Sequence, residues 1–528
     1  MVNKMELFKD LKLEKSKTEA GWHKSIQGSF LFIPTAGMRV SSDDLIIELY
    51  REIFFETRSE GSLKRIDPEE LQDGKSVFDE EEKFSLYMSR GRKKQTTATR
   101  KLTNFYTPLY PSLARRSWLR KQSERAVRDF FLKAIAQNLH SGGSNDHSLE
   151  DGFIDVFYNA LLGKRQGVER GEDIAGLQID VLRDCVNEEE GRQKLSELCG
   201  QSIVGEHAGK SIFTLQSKEP DSLALTIFKD LEHLCKLEGS LDRLQWMGLL
   251  KTFLRFSSSV WLLAQMKMTI ILRDKLLYIL SPKSDVDIDG KWIDEIIQTR
   301  YQGLFKPSTQ LTNQLENYVQ QYVKARIELN ILVALVEKYS GNNWNDKFVT
   351  LHNGSSSDLG ILELMTEGRN VQSAIANDLT DFDLRTALTR FCEQFTAWSM
   401  PVNASGGPAK GYCEYLLVLR KMEKGDEDGG YLVIPSKRKN MGYEIFPGNL
   451  MLKLITYLAA QDNPDKKLIF SDVEEHFKKY GLDFGEKGGI RPKLITSLQD
   501  MGLLRGSPDA GDSVAVSNPY PLQKKSAQ

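Results

Sequence analysis

Cysteine is scarce in this chain of 528 residues: Cys185, Cys199, Cys235, Cys392 and Cys413 make five, an odd number, widely spaced and without a CxxC pair. That excludes a disulfide framework and zinc-ribbon spacing, and it fits buried thiols in a reducing cytoplasm. Histidine is nearly as sparse, and the seven (His23, His140, His147, His207, His233, His352, His476) do not pair at helical ligand spacing. His233 and Cys235 are two positions apart and diverge on a helix, so no metal centre is expected. A net charge is missing too, with 71 basic residues against 73 acidic ones. The chain as a whole therefore attracts neither nucleic acid nor a membrane surface, and any electrostatic function must come from local segregation. Long hydrophobic runs are also absent. In the most apolar region, Trp246 to Leu280, the longest charge-free run is Phe256 to Met266, eleven residues between Arg255 and Lys267. A membrane-crossing helix needs about 20, so this stretch reads as a buried helix. The first ten residues lack the apolar core of a secretory signal.

Enzymatic motifs are equally thin. Gly205-Glu-His-Ala-Gly209-Lys210-Ser211 imitates a phosphate-binding loop, but it has three residues between its glycines where the loop needs four. No persuasive strand precedes it, and Pro220 limits any helix after it. No G-x-S-x-G nucleophile elbow occurs. Glu81-Glu82-Lys83 spells the tripeptide of metal-dependent nucleases, but within an acidic loop. A nuclease remains as an alternative only if carboxylates converge in three dimensions. No cofactor or small-molecule ligand is expected.

What the chain does have is organisation. At this length it should hold two to four domains. Residues 1–140 read as a small α/β region, with a strand at Phe30–Ile33 and a helix capped by Ser41-Ser42-Asp-Asp that runs through Phe54. An acidic loop with Asp67-Pro-Glu-Glu and Asp79-Glu-Glu-Glu82 follows, a solvated face on its own. The sign then reverses: residues 90–128 carry twelve Lys/Arg and a single acid, Glu124. Arg92, Lys93 and Lys94 fall in an arm without periodicity, whereas Arg115, Arg116, Arg120 and Lys121 fall on a helix over Ser112–Asn138. Phe105, Tyr106, Tyr110 and Trp118 are interleaved with them. Clustered cations neutralise phosphate and aromatic faces stack on unpaired bases. The alternatives are pairing with the acidic loop or a protein partner.

Residues 150–400 form a large helical middle. Leu311, Leu315, Tyr318, Tyr322, Ala325, Leu329, Leu332 and Val336 alternate steps of four and three, from Ser308 to a stop at Ser340-Gly341. A second row, Val319, Val323, Ile327 and Ile331, makes the apolar face too wide for a coiled-coil seam. A central bundle helix fits better, with Trp246–Leu280 as its partner. Residues 411–446 read as a β-hairpin, Cys413–Arg420 with Tyr431–Ile434, and Lys437, Arg438 and Lys439 follow it.

Residues 447–521 read as helix, short strand, helix, turn, helix and hairpin, with 522–528 as a tail. Leu450, Leu454, Ile455 and Leu458 mark the first helix; Leu468-Ile469-Phe470 is the strand. Ser471-Asp-Val-Glu474 is a capping box for the second helix, which stops at Gly481. Pro492 suits the first turn of the third, whose buried face is Leu494, Leu498 and Met501. Leu503–Arg505 and Ser513–Val516 close the hairpin. This order resembles the winged helix-turn-helix family. The resemblance implies a third helix in the DNA major groove, with Arg491, Lys493, Thr496 and Ser497 outward and Lys487 and Arg505 beside them. Two departures stand against it: Gly481 to Ile490 is a long turn, and residues 441–528 balance eleven Lys/Arg with eleven Asp/Glu.

Fold class is therefore mainly α and multidomain. The expected function is that of a non-enzymatic, cytoplasmic DNA-binding subunit, with duplex favoured over single strand. The chain broadly resembles large subunits of bacterial anti-phage defence operons of the modification-dependent restriction type. That implies protein partners from the same operon and a role in positioning an ATPase or nuclease on DNA. The other reading is a scaffold whose winged helix docks partner subunits.

Overall fold

The computed structural model describes Ala160 and residues 222–279, 302–304, 311–340, 366–374, 383–392, 430–435, 443–484, 490–505 and 514–521. These residues are mainly helical. The expectations placed on 1–140, the phosphate-loop look-alike at 205–211 and the strand at 413–420 lie outside them.

Helix α1 (Ser222–Leu237) ends in a 3-10 turn, Glu238–Ser240, and leads into α2 (Arg243–Ile279). Asp242 starts α2, its Oδ1 accepting the Gln245 N–H at 2.9 Å. Trp246, fully buried, ties the two helices by donating its indole N–H to the Leu234 carbonyl at 2.7 Å. The apolar run read as a buried helix is one: Phe256 and Val260 to Met266 are all buried. The buried hydroxyls of α2 are accommodated within the helix. Thr252, Ser257, Ser258, Ser259 and Thr269 each donate a hydroxyl to the carbonyl four residues earlier, at 2.5–3.0 Å, so burial leaves no hydroxyl donor unmatched. No helix among the described residues is long and apolar enough to cross a membrane.

Helix α3 (Leu311–Ser340) packs along α2. Its expected apolar rows face inward: Leu315, Val319, Tyr322, Val323, Ala325, Ile327, Leu329, Ile331, Leu332 and Val336 are buried, and Tyr318 is half-buried. Glu328, almost fully buried, is matched across the interface by Arg273 of α2. Helix α4 (Leu384–Cys392) lies against α3 and is started by Asp383.

Strand β1 (Val433–Pro435) pairs antiparallel with β2 (Tyr443–Ile445), Ile434 opposite Glu444. The strand expected at Tyr431–Ile434 thus has a described partner on its C-terminal side, at positions not assigned a strand from the sequence. The hairpin is bolted to α2. Arg255 donates to the Gly430 carbonyl at 2.9 Å, and Gly430 lies flat on buried Thr252 with φ +68°. A Cβ at Gly430 would overlap the Thr252 side chain, reaching 2.8 Å from its Cβ.

The chain ends in α5 (Asn449–Asp462), α6 (Phe470–Lys479), α7 (Ile490–Asp500), β3 (Leu504–Arg505) and β4 (Ala515–Val516). Strand β4 pairs with β3 through Leu504–Val516 and Arg505–Ala515. Its other edge takes Leu468 and Ile469: Ile469 bridges Ala515, and the Val516 N–H donates to the Leu468 carbonyl at 2.9 Å. Phe470, expected as the end of that strand, is instead the first residue of α6 and buried.

Gly430→Ala combines a left-handed backbone with overlap on Thr252 and is expected to lower stability by about 2–5 kcal/mol, measured by denaturant unfolding. A change below about 0.5 kcal/mol would show that the hairpin can lift off α2.

Candidate nucleic-acid interface and its buried mount

The site starts from α5. Apolar periodicity predicts an amphipathic helix, but Met451, Leu452 and every residue from Leu454 to Ala459 are buried. Such a helix needs cover on more than one side. The cover comes from α6 and from the bundle, since α5 packs against both α1 and α2. The Tyr457 hydroxyl donates to the His233 carbonyl of α1 at 3.0 Å, and burial pushes its phenol pKa up.

Where α1, α5 and α6 meet, four polar side chains form a closed cluster. His476 of α6 is fully buried. Its Nδ1 lies 2.8 Å from Asp462 Oδ2 of α5, and its Nε2 lies 3.1 Å from Asp230 Oδ2 of α1. The Tyr480 hydroxyl, also buried, donates to the same Asp230 oxygen at 2.5 Å. Lys479 reaches Asp462 Oδ2 at 2.7 Å from the rim. Phe256 of α2 closes the apolar side, its ring centroid 4.8 Å from that of Tyr480.

Two carboxylates facing the two ring nitrogens are both satisfied only by the doubly protonated imidazolium. Burial pushes the His476 pKa down, but Asp230 and Asp462 together outweigh it and raise it to about 9. Burial pushes Asp462 up, and His476 and Lys479 overcome that to hold it down at about 2. The Tyr480 phenol is raised, by burial first and then by Asp230. Counted as charges, two carboxylates face one imidazolium and one ammonium, the balance that a buried ionic cluster requires. With Asp230 and His476 both buried, this arrangement fixes position and offers no open face for a substrate.

Docking α5 and α6 onto the bundle leaves the far side of α7 free. Leu494 and Leu498 face in, as expected, while Pro492, Lys493, Thr496 and Asp500 are exposed. Arg491 and Ser497 are half-buried. Thr496 turns its hydroxyl back to the Pro492 carbonyl at 3.0 Å. Arg505 takes its place in β3. Lys487 and the upstream residues Arg92, Lys93, Lys94, Arg115, Arg116, Arg120 and Lys121 lie outside the described residues.

Both α7 cations have acidic neighbours from other elements. Arg491 Nε stands 2.9 Å from Glu474 Oε1 of α6, with the guanidinium 5.5 Å from the Phe470 ring centre. Lys493 Nζ stands 3.7 Å from Glu444 Oε2 of β2 and 5.8 Å from the Phe446 ring centre. Glu474 is thus not the cap residue expected from Ser471–Glu474. Helix α6 begins two residues earlier, capped at Ile469, and Asp472 Oδ2 accepts the Ile469 N–H at 2.9 Å instead. The long turn after α6 is held at its start. Gly481 adopts φ +75°, and Phe484 is buried edge-on to Phe477 at 5.0 Å.

The sequence reading missed both acidic partners and the whole buried cluster. Asp230 and His476 are 246 positions apart, so no local spacing signals them. Comparison of the chain with protein-family profiles, curated proteins and solved structures finds no match.

The folded His476 pKa of about 9 lies above its ordinary 6.5. Its stabilisation is therefore complete below about pH 6.5 and is lost as pH rises through 9. Asp462, lowered from 3.8 to about 2, adds stability that is lost as pH falls through that range. Thermal unfolding across pH should thus show a decline between about pH 6.5 and 9 that His476→Gln abolishes, at a cost of about 3–5 kcal/mol near neutrality. Tyr480→Phe should cost about 1.5–3 kcal/mol and keep the decline. An unchanged alkaline limb in His476→Gln would refute the charged state of the cluster.

Proposed function

We propose that the chain is a non-enzymatic subunit whose C-terminal residues, a winged helix-turn-helix, serve as a rigidly mounted recognition head for duplex DNA. The observation that carries this reading is the direction of mounting. The first two helices of the unit are committed to the bundle through Asp230, His476 and Tyr480, and the third presents an exposed face. That is the helix a winged helix-turn-helix inserts into the major groove. The segment at 90–128 carries cations the unit itself lacks, and it is the second candidate for phosphate contact. In the setting of an anti-phage operon, such a subunit positions a partner ATPase or nuclease on DNA.

A second reading, a head that docks a protein partner, is favoured by the pairing of Arg491 with Glu474 and Lys493 with Glu444. A face whose cations are already matched is closer to neutral than groove binding needs.

The full chain should retard duplex DNA at about 50 mM salt and release it toward physiological ionic strength. Arg491→Ala with Lys493→Ala should weaken binding and reduce the salt slope by about 2, one per lost phosphate contact. Loss of binding in Arg115→Glu with Arg116→Glu, alongside wild-type binding in the α7 pair, would transfer DNA contact upstream and leave α7 to a protein. Absence of retardation at low salt would reject the DNA reading.

A further inference from the structure

We propose that Glu474 and Glu444 are built-in competitors for DNA phosphate, holding Arg491 and Lys493 so that α7 engages a duplex only by exchanging two intramolecular carboxylates for two phosphates. This rests on reading α7 as the DNA-facing helix, and it deepens that reading by assigning the residues that set its strength.

The geometry is that of a seat for each cation. Neither pairing lies within α7 itself: Glu474 comes from α6 and Glu444 from β2, so the two acids flank α7 from different elements. An aromatic ring backs each seat, Phe470 behind Arg491 and Phe446 behind Lys493. Ring and carboxylate together fix where each charged head rests in the absence of a partner. The pairs differ in access. Lys493 is 49% exposed and sits 3.7 Å from Glu444, a loose pair that is weak and salt-screened. Arg491 is 21% exposed and keeps its Nε out of solvent against Glu474, so it is held more firmly. A polyanion displaces the Lys493 pair first, and both remain open on one side, in contrast to the fully buried His476. Both acids are less exposed than Lys493, so they stay next to the cations after phosphate arrives and repel it.

Counterions make the consequence measurable. When a phosphate takes Arg491, Glu474 loses its partner and collects a cation from solution. That uptake offsets part of the counterion release that drives binding. A glutamine at either position removes the uptake.

The test uses the full chain and a duplex of unrelated sequence across about 50–200 mM salt. Wild type is compared with Glu474→Gln, Glu444→Gln and the double variant, with thermal midpoints as a check of folding. Each glutamine should raise duplex affinity about two- to fivefold and steepen the log–log salt slope by about 0.9. Retention on heparin should increase in the same order. Wild-type affinity and slope in both variants, with wild type binding DNA, would overturn the competitor role and leave the DNA reading intact. If neither wild type nor the double variant holds duplex or heparin, the DNA reading falls and the competitor role with it. Binding that appears only in the double variant would overturn DNA binding by the natural chain and, with it, the competitor role. Should Glu474→Gln fail to fold, Glu444→Gln decides by the same criteria, because Lys493 is the more open of the two cations.

Discussion

A single carboxylate oxygen, Asp230 Oδ2, receives both the His476 ring and the Tyr480 hydroxyl, and much of the described structure is arranged by that convergence. It lies on a helix far upstream, yet it holds the C-terminal end of α6 against the bundle. Helix α5 packs on both α6 and α2, which accounts for the burial of nearly the whole of α5. A buried charged group is stable only while every partner is in place, so this arrangement admits one docking geometry and penalises sliding.

The contrast with α7 is one of solvent. Around His476 water is excluded, and two carboxylates outweigh the cost of burial. Around Lys493 water has access, and its pair with Glu444 is loose, while Arg491 is held against Glu474 with its Nε out of solvent. Ion pairing thus grades from fully buried, where the C-terminal helices meet the bundle, to half-open along α7.

Elements carried by local periodicity were legible in the sequence. The 4-3 alternation from Leu311 to Val336 and the charge-free run at Phe256–Met266 describe two helices and name them as partners, and they pack together. Gly481 as a helix stop, and strands at Leu504–Arg505 and Ala515–Val516, also follow from local chemistry, whereas their register does not. What was not legible depends on distance in the chain. Glu474 has the spelling of a cap residue, and only the fold shows that Asp472 takes the cap while Glu474 faces Arg491. The strand at 443–445 has three residues and no alternation long enough to register. His476 looked isolated because its two partners are 14 and 246 positions away.

The Gly430 contact has a consequence for how the protein unfolds. Gly430 presses on Thr252 and Arg255 grips its carbonyl, only a few positions before Phe256 meets Tyr480 on the same helix. One short stretch of α2 therefore carries both the hairpin and the C-terminal helices. Contacts to α2 thus stand on both sides of residue 447. Fraying of that stretch would uncover buried charge and apolar surface on both sides together. On that account the hairpin and the described C-terminal helices are expected to open as one unit in hydrogen exchange.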